Sequence, residues 1–137
     1  MQRMSKIHIW IGFTTKTQEE FDKYFDQKNA FMFDDKGNEK GPSEIILSQF
    51  SKDVGKSHAF DEDFLNIYYN PNSDDLQLAL EELSDTDLLE LLKDICSSKG
   101  ITKANAMFFY TDAELQVNDL DKKYNDLIYL GVFDWDY

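Results

Sequence analysis

The sequence predicts an α+β fold in which helices pack on a roughly four-stranded mixed sheet. Two observations support this fold class. Strand-like and helix-like segments follow each other in the order β-α-α-β-α-α-β-β, and the last two strands succeed each other without a clear amphipathic helix between them. A chain of 137 residues has the length of one ordinary domain, so we expect residues 1–137 to form a single unit.

The first predicted strand contains three alternating isoleucines, Ile7, Ile9 and Ile11. Its opposite face carries His8 and Trp10 and is therefore only partly polar. A strand that is apolar on both faces is typical of the centre of a sheet, so we expect this strand to be covered on both sides.

Two helices are predicted before the second strand. Thr17 and Glu20 have the spacing of a capping box, and aromatic residues at helical spacing predict a helix over residues 17–27. Ser43 is a candidate cap for a second helix that ends near Gly55. The inward-facing aromatic residues of the first helix are Phe21, Tyr24 and Phe25.

The second half of the chain predicts one more strand over residues 65–69, two leucine-rich helices, and two final strands over 105–111 and 126–133. Ser73 or Asp74 is expected to cap the first leucine-rich helix, and the second is expected to end at Gly100. The predicted inward residues of that second helix are Leu88, Leu91, Leu92 and Ile95.

The charge of the chain restricts its partners. It has 14 Lys plus Arg and 27 Asp plus Glu, for a formal net charge of −13. Nucleic acids and anionic membranes require clustered basic residues, so we expect neither as a direct ligand. The excess of acids fits two interpretations: it keeps a monomer or weak dimer soluble, or it attracts a basic protein partner.

The sequence predicts a cytoplasmic location. Its apolar runs fall far short of the ~20 residues of a membrane span, and the apolar segment near the start is too short for a signal peptide. Cys96 is the one cysteine, so the chain has no internal disulfide, as is usual in a reducing compartment.

Residues that carry catalytic chemistry are few. His8 and His58 are the two histidines, and each is expected to be an ordinary packed or surface side chain. Cys96 borders the apolar face of a leucine-rich helix, so we expect a buried free thiol. No glycine-rich phosphate loop and no Cys/His set for zinc occurs in the sequence, so we expect no catalytic residue and no cofactor.

A metal site is also not expected. The best match to a calcium loop begins at Asn70 and continues with Asn72 and Asp74, and Glu81 stands at its twelfth position. Its sixth position is Asp75 rather than the glycine that the sharp turn requires. A small carboxylate-based enzyme or a metal-binding regulatory domain remains the alternative to a binding protein.

Acidic and aromatic residues stand side by side in two segments, which makes these segments candidates for partner binding. Tyr and Trp are frequent interface hot spots, and acids beside them would favour a basic partner. The opposing interpretation is that the first segment is a solvated turn and that the second packs back on the sheet. The candidates are Asp61, Glu62, Asp63, Asp134, Trp135, Asp136 and Tyr137.

Five short motifs occur in order along residues 6–134. They are Lys6-Ile-His-Ile-Trp-Ile-Gly12; Glu19-Glu-Phe21 with Tyr24-Phe25; Ser48-x-Phe50 with Lys52-Asp53 and Gly55; Asp61-Glu-Asp-Phe64; and Leu130-Gly-Val-Phe-Asp134. In this order and spacing the chain resembles the bacterial immunity protein 22 family. It departs from that pattern in a long polar segment over residues 28–42.

The resemblance implies an antidote protein of a polymorphic toxin system. Such a protein binds and neutralises a cognate toxin, often a nuclease, and has no enzymatic activity of its own. An acidic protein is suited to this role because the active site of a nuclease is basic. The resemblance does not indicate which residues contact the toxin.

Overall fold

A computed structural model describes residues 4–26, 47–55, 60, 62–83 and 86–136. Within them a five-stranded sheet has the order β2-β3-β1-β5-β4, and every neighbouring pair is antiparallel. The strands are β1 Met4–Gly12, β2 Leu65–Tyr69, β3 Ala106–Thr111, β4 Lys123–Tyr124 and β5 Leu127–Asp136. The helices are α1 Gln18–Lys23, α2 Gln49–Asp53, α3 Leu76–Leu80 and α4 Thr86–Ser98.

The α+β class is confirmed, and the sheet has five strands where the sequence predicted roughly four. The prediction of a mixed sheet is wrong, because every neighbouring pair is antiparallel. The fifth strand, β4, lies in a polar segment for which the sequence predicted only a turn or a short helix. β1 and β2 run in the same direction but are not neighbours. β3 lies between them and runs opposite to both, so no neighbouring pair is parallel.

The prediction of a central first strand covered on both sides is confirmed. Ile7, Ile9 and Ile11 pack into one apolar cluster with the buried residues of α3 and α4. Trp10 lies on the other face, in a second cluster rich in aromatic residues from α1, α2 and β3. The Trp10 ring stacks on Phe108 with 4.8 Å between the ring centroids. The sheet therefore separates two cores, each closed by its own pair of helices.

The capping box of α1 is confirmed, but the helix is shorter than the predicted range 17–27. The Thr17 side chain accepts a hydrogen bond from the Glu20 N–H, and the Glu20 carboxylate accepts one from the Thr17 N–H. After Lys23 the chain tightens, because the N–H groups of Tyr24 and Phe25 donate to carbonyls three residues back. Phe21 and both of these aromatic residues are buried, as predicted.

The N-terminal caps of α2 and α3 lie later in the chain than the predicted caps. Ser48 caps α2 and accepts from the Ser51 N–H at 3.0 Å, whereas the predicted cap Ser43 lies outside the described residues. Asp75 caps α3 by accepting from the Gln77 N–H, instead of Ser73 or Asp74.

Helix and strand ends that depend on glycine or asparagine agree better with the sequence. Gly55 and Gly100 have positive φ values of 81° and 75° after α2 and α4, as predicted. Asn125 and Asp126 form the two-residue turn between β4 and β5, with φ values of 54° and 71°. A two-residue hairpin turn with both φ values positive favours Asn and Asp, which is why this pair is accommodated there.

Candidate protein-binding site

The sheet brings the two candidate segments to the same end. Leu65, the first residue of β2, lies opposite Tyr110, which in turn lies opposite His8 of β1. His8 lies opposite Val132 of β5. Asp63 lies in the 3-10 turn that leads into β2, and Asp134 lies two residues after Val132 in β5. Three strand spacings separate them, which corresponds to about 14 Å across the sheet.

We call this region the acidic end and define it by Asp63, Phe64, Asp112, Val132 and Asp134. The side chains of Asp63 and Asp134 are exposed, and that of Asp112 is partly exposed. Phe64 and Val132 are exposed by 41% and 49%, so both side chains are available for contact. The acidic end therefore combines carboxylates with apolar contact area.

Lys6 places a cation beside this region. The Lys6 ammonium donates to a carboxylate oxygen of Asp134 across the β1–β5 pair. Both side chains are about half exposed or more, so the ion pair contributes little to stability. The pair demonstrates that Asp134 is positioned to receive a basic side chain from a neighbouring strand.

His8 fixes the backbone beneath the acidic end. Its Nε2 lies 3.1 Å from the carbonyl oxygen of Asp112, which can only accept, so Nε2 carries the proton. In the neutral ring Nδ1 then accepts from the Tyr129 hydroxyl, at 2.8 Å. Burial raises the pKa of Tyr129 to about 12, which keeps this hydroxyl protonated. His8 is 1% exposed, so the prediction of a packed side chain is confirmed and its role here is to position Asp112.

The seven sequence candidates are described to different extents. Asp63 and Asp134 have described side chains, and both belong to the acidic end. Glu62 lies in a 3-10 turn over Glu62–Phe64, and Trp135 and Asp136 belong to β5, where they pair with Ser5 and Met4; only their backbone is described. Asp61 and Tyr137 lie outside the described residues.

Sequence reasoning missed three members of the acidic end. Asp112 follows the third strand, and its position beside the other carboxylates depends on strand order, which the sequence did not determine. Val132 falls inside the strand predicted over 126–133, and Phe64 stands directly before the strand predicted over 65–69; neither was a binding candidate. The available signal was that Phe64 directly follows the acidic triplet at 61–63, but exposure of an apolar residue cannot be inferred from its neighbours alone.

A groove of about 470 Å³ lies at the opposite end of the sheet. Its walls are the loop over residues 13–16 and the loop over 69–74, and Asn105 forms its floor. The Asn105 side chain accepts from the Thr14 N–H and donates to the Thr14 carbonyl, both at 2.9 Å. The Tyr69 hydroxyl donates to the Lys16 carbonyl at 2.6 Å. These bonds hold the two walls at a fixed separation, so the groove is preformed. We call it the loop groove.

The other side chains that could carry chemistry, such as the Cys96 thiol, give no sign of a reactive site. Burial raises the pKa of the Cys96 thiol to about 11, so the thiol is protonated and unreactive at neutral pH. In the parts of the chain that the structure describes, no three His, Cys, Asp or Glu side chains form a group that could hold a metal ion. His58 lies outside those parts. Among the same residues no helix has both the length and the apolar character of a membrane span.

The residues of the partial calcium loop serve the groove wall and a helix end. The Asn70 side chain accepts from the Asn72 N–H at 2.9 Å, and the Asp74 carbonyl accepts from the Ala104 N–H. Glu81 is the C-terminal cap residue of α3 and not the last residue of a loop. These positions thus build the β2–α3 connection.

The class of protein that the fold and the acidic end define is a small acidic α+β domain with carboxylates and exposed apolar side chains at one end of its sheet. The family model described as Immunity protein 22 matches residues 7–136. The chain therefore belongs to the immunity protein 22 family, and the resemblance read from the sequence is confirmed. No curated protein and no solved structure matches the chain. Family membership supports an immunity, or antitoxin, role and implies binding to a cognate toxin.

Proposed function

We propose that this chain neutralises a basic nuclease toxin by binding it with the acidic end of its sheet. The observation that carries the proposal is the acidic end itself, where Asp63 before β2, Asp112 after β3 and Asp134 in β5 share one end of the sheet with two exposed apolar side chains. The protein acts in the cytoplasm as part of a polymorphic toxin system. It works as a monomer or weak dimer and inhibits by occupying the toxin, without chemistry of its own.

Charge supports the choice of a basic nuclease. A nuclease binds an anionic substrate and therefore presents a positive cleft. A chain with a net charge of −13 is attracted to such a cleft, which raises the association rate at low salt. Carboxylates at the acidic end take the place of phosphates, and the exposed apolar side chains add contact area that free nucleic acid cannot supply.

The first test is a calorimetric titration against the product of the gene immediately upstream, inactivated if it is toxic, at low and at high salt. We expect tight one-to-one binding that weakens as salt rises, because added ions screen the attraction. If the two folded proteins do not bind at either salt concentration, this protein is not the toxin that the chain neutralises, and the role proposed for the acidic end fails with it.

A pair of charge-reversed variants separates the acidic end from net charge. Asp63→Lys with Asp134→Lys changes the charge from −13 to −9, since each reversal adds two. Glu82→Lys with Asp94→Lys makes the same change from exposed residues of the α3–α4 layer. We expect the first pair to slow association by roughly tenfold and the second to have a clearly smaller effect. Equal effects of the two pairs would remove the acidic end from the interface.

A further inference from the structure

The outer edge of β2 is an open sheet edge. β2 is the last strand on its side of the sheet, and in the described part of the chain no other strand pairs with it. An open edge presents a row of backbone N–H and C=O groups that another extended chain can pair with.

The register identifies which groups face outward. The Asn70 N–H donates to the Asn105 carbonyl, so residue 70 faces the side of β3. Backbone groups alternate along a strand, so Asn66 and Tyr68 also face β3. Leu65, Ile67 and Tyr69 therefore direct their N–H and C=O groups away from the sheet. The hydrogen bonds between β1 and β3 agree with this assignment. The Asp112 N–H donates to the Lys6 carbonyl, so alternate residues of β3, including Phe108 and Tyr110, bond to β1 and the others face β2.

The two edges of the sheet differ in the features that prevent another strand from pairing with them. At the other edge β4 covers the start of β5, a bulge at Leu130 interrupts the pairing of β5 with β1, and Asp134 adds a charge. Bulges and charges are the usual means by which proteins prevent unwanted strand pairing. β2 has the sequence Leu-Asn-Ile-Tyr-Tyr, without charge, proline or bulge, and its Ile67 is 42% exposed.

We propose that the toxin docks by adding an extended basic strand to the outer edge of β2, which rests on the proposed function and specifies its mode of binding. Main-chain hydrogen bonds to Leu65, Ile67 and Tyr69 provide the affinity, and Ile67 with Phe64 provides an apolar contact. Asp63 at the start of this edge lies where a basic side chain of the added strand would be held.

Charge and continuity favour this occupant. A second copy of the chain also carries a net charge of −13, so pairing of two β2 edges would bring like charges together. The edge also leads directly into the loop groove, because Tyr69 is both the last residue of β2 and part of the groove wall. A strand that leaves the edge at this point enters a preformed groove, whose lining contains both Asp74 and Lys16.

Amide hydrogen exchange of the wild-type chain, with and without the inactivated upstream gene product, tests the docking mode directly. In the free chain the amides of Leu65, Ile67 and Tyr69 should exchange quickly, and those of Asn66 and Tyr68 slowly. We expect the complex to slow the exchange of the outward amides by at least tenfold. If the toxin binds while Leu65 and Ile67 continue to exchange at their free rates, the edge is not the docking site.

The substitution Ile67→Pro removes the outward donor and leaves the ladder to β3 intact, since Pro is tolerated on an edge where its nitrogen faces solvent. Ile67→Thr keeps the N–H and removes only apolar area. We expect Pro to weaken toxin binding at least tenfold and Thr to weaken it less, in calorimetry of variants whose melting confirms folding. Equal losses would indicate a side-chain contact alone and contradict strand addition.

Two results distinguish failure of this inference from failure of the proposed function. If wild type does not bind the upstream gene product, the proposed function fails and the docking mode with it. If wild type and the Pro variant bind equally well, only the docking mode is wrong. Dimerisation of the free wild type that is lost in the Pro variant would identify a second copy as the occupant and overturn the proposal.

Discussion

At the scale of single residues, buried amides and carboxylates hold together segments that are far apart in the sequence. Asn105 is 7% exposed and uses its whole side chain to satisfy the backbone of Thr14, itself 3% exposed. The Asn125 side chain accepts from the Lys16 ammonium and donates to the Phe21 carbonyl. The loop after β1 is therefore fixed from two sides, and the rigidity of the loop groove follows from it.

Replacing Asn105 with Ala should be costly. The change leaves a buried N–H and a buried C=O of Thr14 without partners, and each unsatisfied group costs about 1–3 kcal/mol. We expect the free energy of unfolding to fall by about 3 kcal/mol in urea denaturation. The exposed Asn118, replaced in the same way, serves as the control and should change stability by less than about 0.5 kcal/mol. A similar small loss for both would refute the role assigned to Asn105.

Asp53 links α1, α2 and the segment before β4. It accepts hydrogen bonds from the Tyr24 hydroxyl at 2.6 Å, the Lys122 ammonium at 2.8 Å and the Gln49 amide at 2.9 Å. Burial alone would raise the pKa of Asp53, but the hydrogen bonds from Lys122, Tyr24 and Gln49 outweigh it and hold the pKa below its ordinary value. The ionised form is therefore bound more favourably in the folded chain than in the unfolded one.

The lowered pKa of Asp53 predicts a pH-dependent contribution to stability. The contribution is complete above the ordinary carboxyl pKa of about 4 and is lost as pH falls through the lower folded pKa. Asp53→Asn should reduce the free energy of unfolding by about 1 kcal/mol at neutral pH, since the Lys122 partner is partly exposed. Urea denaturation at several pH values should show the gap to wild type closing in acid. A gap that stays constant to low pH would contradict this assignment.

At the scale of secondary-structure elements, α4 demonstrates what periodicity can and cannot determine. The sequence placed Leu88, Leu91 and Leu92 on one inward face, but Leu91 is 47% exposed while Leu88 and Leu92 are buried. The prediction for Leu91 is wrong. Two adjacent leucines point in directions about 100° apart, so a helix packed on a flat sheet buries one of them fully.

The neighbouring leucines provide a matched test of this orientation. Leu92→Ala removes a fully buried side chain and should lower the free energy of unfolding by about 2–5 kcal/mol. Leu91→Ala removes an exposed one and should have an effect below about 1 kcal/mol. Thermal and urea denaturation of the two variants provides the comparison. Equal destabilisation would mean that the face of α4 has been assigned incorrectly.

Elements were more predictable than their arrangement. The alternating isoleucines, the capping box at Thr17 and the glycines that end α2 and α4 are local signals, and each is confirmed. The insertion of β3 between β1 and β2 has no local signal, because it depends on which strands exclude water best when paired. β4 was missed because two residues are too few to show alternation.

At the scale of the whole molecule, the fold brings acidic residues from distant parts of the sequence to one end of the sheet. Strand order places Asp63, Asp112 and Asp134 at one end of the sheet, although the chain separates the first from the last by 71 positions (134 − 63). The sequence predicted two of these three residues as candidates, since they stand beside aromatic residues. It could not predict that they share one end or that Asp112 joins them, because proximity between strands is set by topology.

Net charge and surface thus support the same account. A domain with 27 acids and 14 bases has a long-range attraction for basic partners, and the open edge of β2 next to the acidic end offers a short-range means of attachment. In the proposed mode of binding, the first sets the rate of association with the toxin and depends on salt. The proposed strand pairing sets the rate of dissociation.

The most direct test of the account is whether the chain protects cells from the product of the upstream gene. Growth would be measured in cells that express the active toxin alone, with the wild-type chain, or with the Asp63→Lys and Asp134→Lys variant. The account predicts that the wild-type chain restores growth and that the variant, produced at the same level, protects clearly less. Equal killing with and without an excess of folded wild-type chain would contradict it.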